Sequence, residues 1–117
     1  MHFFECLRDD DEDWKDNSEI LGSWTENTDQ YEYFEFQFFD DNTGCEICHW
    51  GRNSNIDYYF TYRYNAKTKE VFIQDEGEED HYCTGKKIGN RLVLDDSKYE
   101  GYTLFYAGAV VLPPGVL

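Results

Sequence analysis

The stretch YEYFEFQFFDDNTG, residues 31 to 44, decides the predicted fold. Its side chains alternate, so that an extended chain carries Phe34, Phe36 and Phe38 on one face and Tyr or polar residues on the other. A period of two is the pattern of a half-buried β-strand. The segment DDNTG at 40–44 then predicts a turn, because Asn and Gly tolerate positive φ.

The same pattern recurs along the chain. In IDYYFTYRY at 56–64, one face carries Ile56, Tyr58, Phe60, Tyr62 and Tyr64. The dipeptide Gly-Asn at 89 and 90 is typical of a two-residue hairpin. Eight strands are predicted, at 20–27, 31–39, 45–50, 56–64, 70–74, 81–88, 91–94 and 102–107. Closing such a meander removes its exposed edges, so we predict an all-β fold, a small eight-stranded antiparallel up-and-down barrel.

Length and composition limit the organisation and the partners of the chain. The 117 residues suffice for one core and include ten Tyr and nine Phe, which favour strands. We predict an acidic leader over 1–17, a barrel over 18–107 and an apolar tail over 108–117. The net charge of −15 disfavours direct binding to nucleic acids or anionic membranes. No export signal is recognised near residue 1, which predicts a cytoplasmic protein with reduced thiols.

The motif CEICH at 45–49 has the residue order of a covalent haem attachment site, and its Cys pair could bind a metal. In a strand, however, Cys45 and His49 lie on one face and Cys48 lies on the other. The two thiols would then be unable to hold one tetrahedral ion. A zinc site assembled from Cys45 or Cys48 with His49, His81 and Cys83 stays open as an alternative if neighbouring strands bring these residues together. The preferred interpretation is a structural strand without a metal or cofactor.

Four segments carry a resemblance to a known family: LGSW at 21–24, FFDDNTG at 38–44, IGNRLVL at 88–94 and the aromatic strand at 102–107. Together they resemble the small bacterial lipocalin-like proteins of the calycin group. The resemblance covers about residues 18–107 and implies an eight-stranded barrel with Trp24 packed across its closed end. It also implies a role in binding rather than in catalysis.

The sequence contains none of the common catalytic motifs, such as a nucleophile elbow, a phosphate-binding loop or a zinc-protease helix. Acidic pairs such as Asp40 with Asp41 are better explained by turns, where Asp bonds to the backbone. The predicted function is therefore not enzymatic.

Two binding functions remain, and they use different surfaces of the barrel. The preferred one is an inhibitor, antagonist or immunity-type protein whose acidic, Tyr-bearing outer surface binds a basic protein. Its predicted contact residues are Asp9, Asp10, Asp11, Glu12, Asp13, Tyr31, Tyr33, Tyr59, Asp75, Glu76, Glu78, Glu79 and Asp80. The alternative is a carrier that holds a small apolar or aromatic molecule inside the barrel. Its predicted lining residues are Phe34, Phe36, Phe38, Tyr58, Phe60 and Tyr62.

Overall fold

Eight antiparallel strands close into a barrel in the computed structural model, which describes residues 12–110. The strands are β1 (Gly22–Thr25), β2 (Glu32–Phe38), β3 (Thr43–Trp50), β4 (Asn53–Tyr64), β5 (Glu70–Asp75), β6 (Tyr82–Ile88), β7 (Arg91–Asp96) and β8 (Tyr102–Gly108). Each strand pairs with its neighbours in the chain, and β8 returns to pair with β1. The predicted all-β, up-and-down eight-stranded barrel is confirmed. Within residues 12–110, no helix is both long and apolar enough to span a bilayer.

The hairpin of β3 and β4 differs from the prediction in its bounds, because β4 begins three residues before the predicted start at 56, and in its register. Glu46 pairs with Tyr58 but Ile47 pairs with Ile56, so Asp57 is an extra residue in β4. Such a β-bulge reverses the two faces of a strand on either side of it. Ile56, which strict alternation places inside the barrel, is therefore 39% exposed.

Aromatic side chains fill one half of the barrel interior. Phe36, Phe38, Phe60 and Tyr62 are all at most 3% exposed, as their predicted inward orientation requires. The Phe38 ring lies 5.4 Å from the Phe60 ring and 5.0 Å from the Tyr62 ring, measured between centroids. This half of the barrel is consequently a packed core without room for a ligand.

The segment before β1 closes the end of the barrel next to this core. The side chain of Asn17 donates a hydrogen bond to Oδ1 of Asn42 in the β2–β3 turn, at 2.8 Å. Ile20 is fully buried, and its carbonyl oxygen accepts a hydrogen bond from the Trp24 indole at 2.9 Å. The opposite end, which we call the mouth, is surrounded by the loops at 26–31, 51–52, 76–81 and 97–101.

Candidate functional site

The mouth of the barrel contains a cavity of about 900 Å³, which we call the mouth cavity. Two of the six residues predicted to line a ligand site, Phe34 and Tyr58, border it, whereas the other four form the core. Its remaining lining is mostly charged or aromatic: Glu26, Glu46, Asp57, Asp75, Glu78, His81, Lys98, Tyr99, Glu100 and Tyr102. Six carboxyl groups therefore face one lysine and one histidine across a space large enough for a small molecule.

Glu46 is an acid buried on the inner face of the barrel wall. It lies opposite Phe36 of β2 and opposite Tyr58 of β4, and it is 3% exposed. Burial raises the pKa of its carboxyl group to about 8. Among residues 12–110, neither Oε2 of Glu46 nor the hydroxyl of Tyr58 has a partner at full hydrogen-bond geometry, although the nearby Tyr58 hydroxyl favours the carboxylate form of Glu46. Two buried polar atoms without partners are costly in a folded protein, which makes this pair the candidate contact for a ligand.

A second buried group, which we call the His81 cluster, consists of Asp75, His81, Cys83 and Asp96. Nδ1 of His81 lies 2.8 Å from Oδ2 of Asp75, and Nε2 lies 3.1 and 3.0 Å from the two oxygens of Asp96. Burial opposes the charged form of His81, but the hydrogen bonds to both carboxylates outweigh it and raise the pKa of the imidazole. The thiol of Cys83 lies 3.4 Å from Oδ2 of Asp96.

Further carboxylates at the rim of the mouth cavity form hydrogen bonds and ion pairs. Glu26 accepts a hydrogen bond from the backbone N–H of Phe34 at 2.8 Å. Glu78 forms an ion pair with Lys98 at 2.7 Å, and Asp80 lies 3.3 Å from the same ammonium group. The one lysine of the cavity lining is therefore already neutralised, and the field inside the mouth is that of the carboxylates.

The residues considered for a metal site divide into two groups. Cys45 and His49 lie on the outer face of β3, whereas Cys48 lies opposite Phe34 on the inner face, so the predicted separation of the two thiols is confirmed. His49 bonds to Glu35 at 2.7 Å and does not join His81. His81 and Cys83 do meet, and within the described chain their ligand atoms and one of Asp96 all lie within 4.8 Å of one another.

Glu35 is the centre of a polar group on the outer face. It accepts hydrogen bonds from Ser23 at 2.6 Å and from Gln37 at 2.8 Å, in addition to its contact with His49. Burial acts against the charged form of Glu35, but these hydrogen bonds prevail and lower its pKa. Ser23 thus donates to a carboxylate and not to an imidazole, which is not the contact that activates a serine nucleophile.

The predicted protein-binding residues are spread over both ends of the barrel. Asp9, Asp10 and Asp11 lie outside the described residues. Asp13 lies at the closed end, where its carbonyl oxygen accepts a hydrogen bond from Ala66, and Glu12 is its exposed neighbour. The loop with Glu76, Glu78, Glu79 and Asp80 is exposed at the mouth instead. Among the described residues, Glu12 and Asp13 therefore do not form one continuous surface with the acidic loop at the mouth.

The three tyrosines of the predicted outer surface differ from Asp75 in their position. Tyr31 and Tyr59 are 73% and 55% exposed, and Tyr33 stacks on His49 on the outer wall at 4.6 Å. Asp75 is different, because it is only 8% exposed and bonds to His81 inside the barrel. Its assignment to the outer surface was wrong, since it is the last inward residue of β5 and not the first residue of the acidic loop.

The sequence contains a signal for two inner carboxyl groups, those of Asp75 and Asp96, that the strand bounds predicted above leave out. Val71 and Ile73 point inward, and one further step of the same alternation reaches Asp75. In β7, Leu92 and Leu94 lead in the same way to Asp96. Extending the apolar period to the end of each strand would have placed both carboxyl groups inside the barrel.

Comparison with protein-family models, curated proteins and solved structures finds no match for this chain. The case for a function therefore depends on the side chains of the barrel itself.

Proposed function

We propose that this protein is a lipocalin-like binding protein, not an enzyme, and that its mouth cavity takes a small organic cation. The observation that supports this most is the pair of buried, unpartnered oxygens of Glu46 and Tyr58. An ammonium group has several N–H donors and no acceptor, so it can satisfy both oxygens at once. A charge-assisted hydrogen bond to a carboxylate is also about twice as strong as one between neutral groups.

The charge of the mouth cavity favours the same class of ligand. Without a ligand, burial keeps the pKa of Glu46 near 8, so its carboxyl group is mostly protonated at neutral pH. A cation placed beside it supplies the missing counter-charge and favours the carboxylate. The carboxyl groups of Asp57 and Glu100 border the same space and add to the attraction, whereas they would repel an anionic ligand.

The aromatic lining provides a site for the rest of the ligand. The rings of Phe34 and Tyr102 pack edge to face with centroids 5.4 Å apart, and the Tyr99 ring lies 5.6 Å from the His81 ring. Such rings bury apolar surface and also attract a cation through their faces, a contribution of roughly 0.5–2 kcal/mol. The preferred ligand is therefore an amine on an aromatic or apolar body.

The three described free thiols, Cys45, Cys48 and Cys83, suit our further proposal that the protein acts in the cytoplasm.

Three ligands that share one skeleton and differ in charge test this proposal. We expect 2-phenylethylamine to bind to the full chain at least about 30-fold more tightly than 2-phenylethanol, because the alcohol lacks the charge that Glu46 requires. The anion 3-phenylpropanoate should bind more weakly still. Isothermal titration calorimetry at pH 8 and low salt measures all three. Equal or tighter binding of the alcohol or the acid would contradict a cation site.

A second candidate function, binding of a basic protein through the outer surface, is favoured by one contact. The backbone N–H of Glu76 donates to the carbonyl oxygen of Tyr59 at 3.0 Å, so the exposed part of the acidic loop lies beside an exposed tyrosine. Charge and aromatic area then adjoin on the outer wall, which is an arrangement that protein interfaces use. Tyr59, Glu76 and Glu79 do not line the mouth cavity, so the two functions can be separated experimentally.

The double substitution Glu76→Lys/Glu79→Lys distinguishes the two candidates, because neither residue lines the mouth cavity. If the outer surface binds a basic partner, the variant should bind a fluorescent Lys-rich probe peptide at least about tenfold more weakly in fluorescence anisotropy at low salt. Its affinity for 2-phenylethylamine should stay within about twofold of the parent protein. Unchanged peptide binding would exclude this loop as the contact surface.

A further inference from the structure

We propose that the His81 cluster is a binding site for a divalent transition metal, Zn²⁺ in the first place. Its three protein ligands would be Nε2 of His81, Sγ of Cys83 and a carboxylate oxygen of Asp96. Imidazole, thiolate and carboxylate are the three ligand types that Zn²⁺ accepts in proteins. The thiolate is a soft donor, and the imidazole and the carboxylate are harder ones. This set disfavours Mg²⁺ and Ca²⁺, which require oxygen ligands.

The spacing of the ligand atoms fits this assignment. In a tetrahedral site with the usual bond lengths, an imidazole nitrogen and a carboxylate oxygen are about 3.3 Å apart, and a thiolate sulfur and a carboxylate oxygen about 3.5 Å. In the structure the corresponding distances are 3.0 Å between Nε2 and Oδ2 and 3.4 Å between Sγ and Oδ2. Small side-chain movements would therefore suffice to admit an ion.

The backbone brings these ligands together in a rigid way. Cys83 and Asp96 are a directly opposed pair of the β6–β7 ladder, and His81 lies two residues before Cys83 on the same face. All three belong to the wall of the closed barrel or to its first loop residue, and His81 is only 4% exposed. Sites built on such elements hold their ligands more exactly than sites built on free loops.

Asp75 has the position of a residue that orients a metal-binding histidine. Its Oδ2 lies 2.8 Å from Nδ1 of His81, so Nδ1 carries a proton and Nε2 is directed toward Cys83 and Asp96. A carboxylate on the distal nitrogen fixes the tautomer and the orientation of metal-bound histidines in many proteins. Asp75 is thus a positioning residue, not a ligand.

The metal also accounts for the burial of four ionisable side chains in one place. Charged groups in a barrel wall are less stable than apolar residues of the same volume unless they have well-placed partners. A Zn²⁺ ion would displace the thiol proton and the proton on Nε2, and would give both negative ligands a counter-charge. The fourth position would be filled by water or by a molecule in the mouth cavity, which His81 borders.

Cobalt spectroscopy on the full-length chain, freed of metal by a chelator, tests the site. We expect added Co²⁺ to produce a thiolate-to-cobalt charge-transfer band and the strong visible bands of a tetrahedral ion, and Zn²⁺ to remove both by displacement. Cys83→Ser should abolish the charge-transfer band and weaken Zn²⁺ binding at least about 100-fold. Cys48→Ser is the matched control, because Cys48 also lies on the inner face but pairs with Phe34, away from the cluster; it should leave the spectrum unchanged.

Asp75→Asn is the second variant, because it keeps all three ligands even if Cys83→Ser folds poorly. If Asp75 orients His81, Zn²⁺ affinity should fall about 10- to 100-fold. A purely structural role would lower only the melting temperature of the metal-free protein. The proposal is overturned if the parent protein gives no charge-transfer band, or if the band persists in Cys83→Ser. The titrations contain no amine, so their outcome is independent of the function proposed above.

Discussion

Replacing Glu46 by Gln is expected to stabilise the free protein by about 3 kcal/mol at pH 7 and, in the same variant, to remove most of its affinity for amines. Glu46 combines burial with a missing hydrogen-bond partner, since it is 3% exposed and its Oε2 is unpartnered among the described residues. Both properties destabilise the charged form in the free protein. A bound cation would supply the counter-charge and the hydrogen-bond donor that the buried carboxylate lacks.

The pH dependence of this effect follows from the pKa of Glu46. Burial raises it from 4.5 to about 8 on folding, so the folded state holds the proton more tightly than the unfolded state. The resulting stabilisation is complete below pH 4.5 and is lost progressively as the pH rises to about 8. At 1.36 kcal/mol per pH unit, the loss reaches about 3 kcal/mol at pH 7. Gln cannot ionise, so the variant should equal the parent near pH 4 and exceed it above.

Urea unfolding of both proteins at pH 4, 5.5 and 7 measures the difference. Glu100→Gln is the matched control, because Glu100 borders the same cavity but is exposed, and it should change the stability by less than about 0.5 kcal/mol at each pH. A stability difference that is independent of pH would mean that Glu46 is charged in the folded protein and already has a partner.

Amine binding should change in the opposite direction in the same variant. Binding of 2-phenylethylamine to the parent protein requires the carboxylate of Glu46, so its affinity should rise up to tenfold per unit from pH 6 to about 8 and then level off. In Glu46→Gln the affinity should fall about 100-fold at pH 8 and lose this dependence on pH. If the Glu46→Gln variant binds the amine as tightly as the parent protein does, other carboxylates of the rim bind the cation.

The architecture could be predicted because it depends on patterns within single strands. Phe34, Phe36 and Phe38 alternate in β2, and their inward orientation is confirmed by the pairing and burial of that strand. The turn after β2 was also predicted correctly, since Asn42 has a φ of +66°. Local alternation and turn chemistry are legible in a sequence because neighbouring residues determine them.

The candidate site was harder to predict because it depends on pairing between strands. Glu46 becomes an inner residue only through the register that sets it opposite Phe36 and Tyr58. Asp57 reaches the mouth cavity because of a bulge that breaks the alternation of β4. The local composition predicts neither the register of two strands nor the position of a bulge. Both nevertheless determine which side chains come into contact.

Gly44 shows how turn chemistry can misplace a residue, because the segment DDNTG predicted it in a turn and the structure places it in β3. The turn chemistry of DDNTG suggested that Gly44 supplies positive φ, but its φ lies outside the left-handed region. Gly44 is the second residue of β3 and faces the barrel interior opposite Phe60. A Cβ atom there would overlap the carbonyl oxygen of Gln37 and would lie 2.5 and 2.6 Å from two ring carbons of Phe60.

Gly44→Ala is therefore expected to destabilise the protein by about 3 kcal/mol, because overpacking of a core costs roughly 1–3 kcal/mol and one obstacle here is backbone that cannot rotate away. The melting temperature should fall by roughly 10 °C or more. Gly77→Ala is the control, since its nearest atom, Oδ1 of Asp75, lies at 3.4 Å and its φ is ordinary; it should change the melting temperature by no more than about 2 °C.

The two obstacles at Gly44 can be separated with a second substitution. Phe60→Leu shortens the ring side chain, so Gly44→Ala/Phe60→Leu should recover part of the stability lost in Gly44→Ala if the ring contributes to the clash. The ring of Tyr58, which borders the mouth cavity, lies 6.2 Å from the ring of Phe60, so a displaced Phe60 should also weaken amine binding in Gly44→Ala. Equal melting temperatures for Gly44→Ala and Gly77→Ala would mean that β3 can move away from β4 at this point. The inner wall would then be too compliant to hold Glu46 and Tyr58 in the fixed positions that a cation site requires.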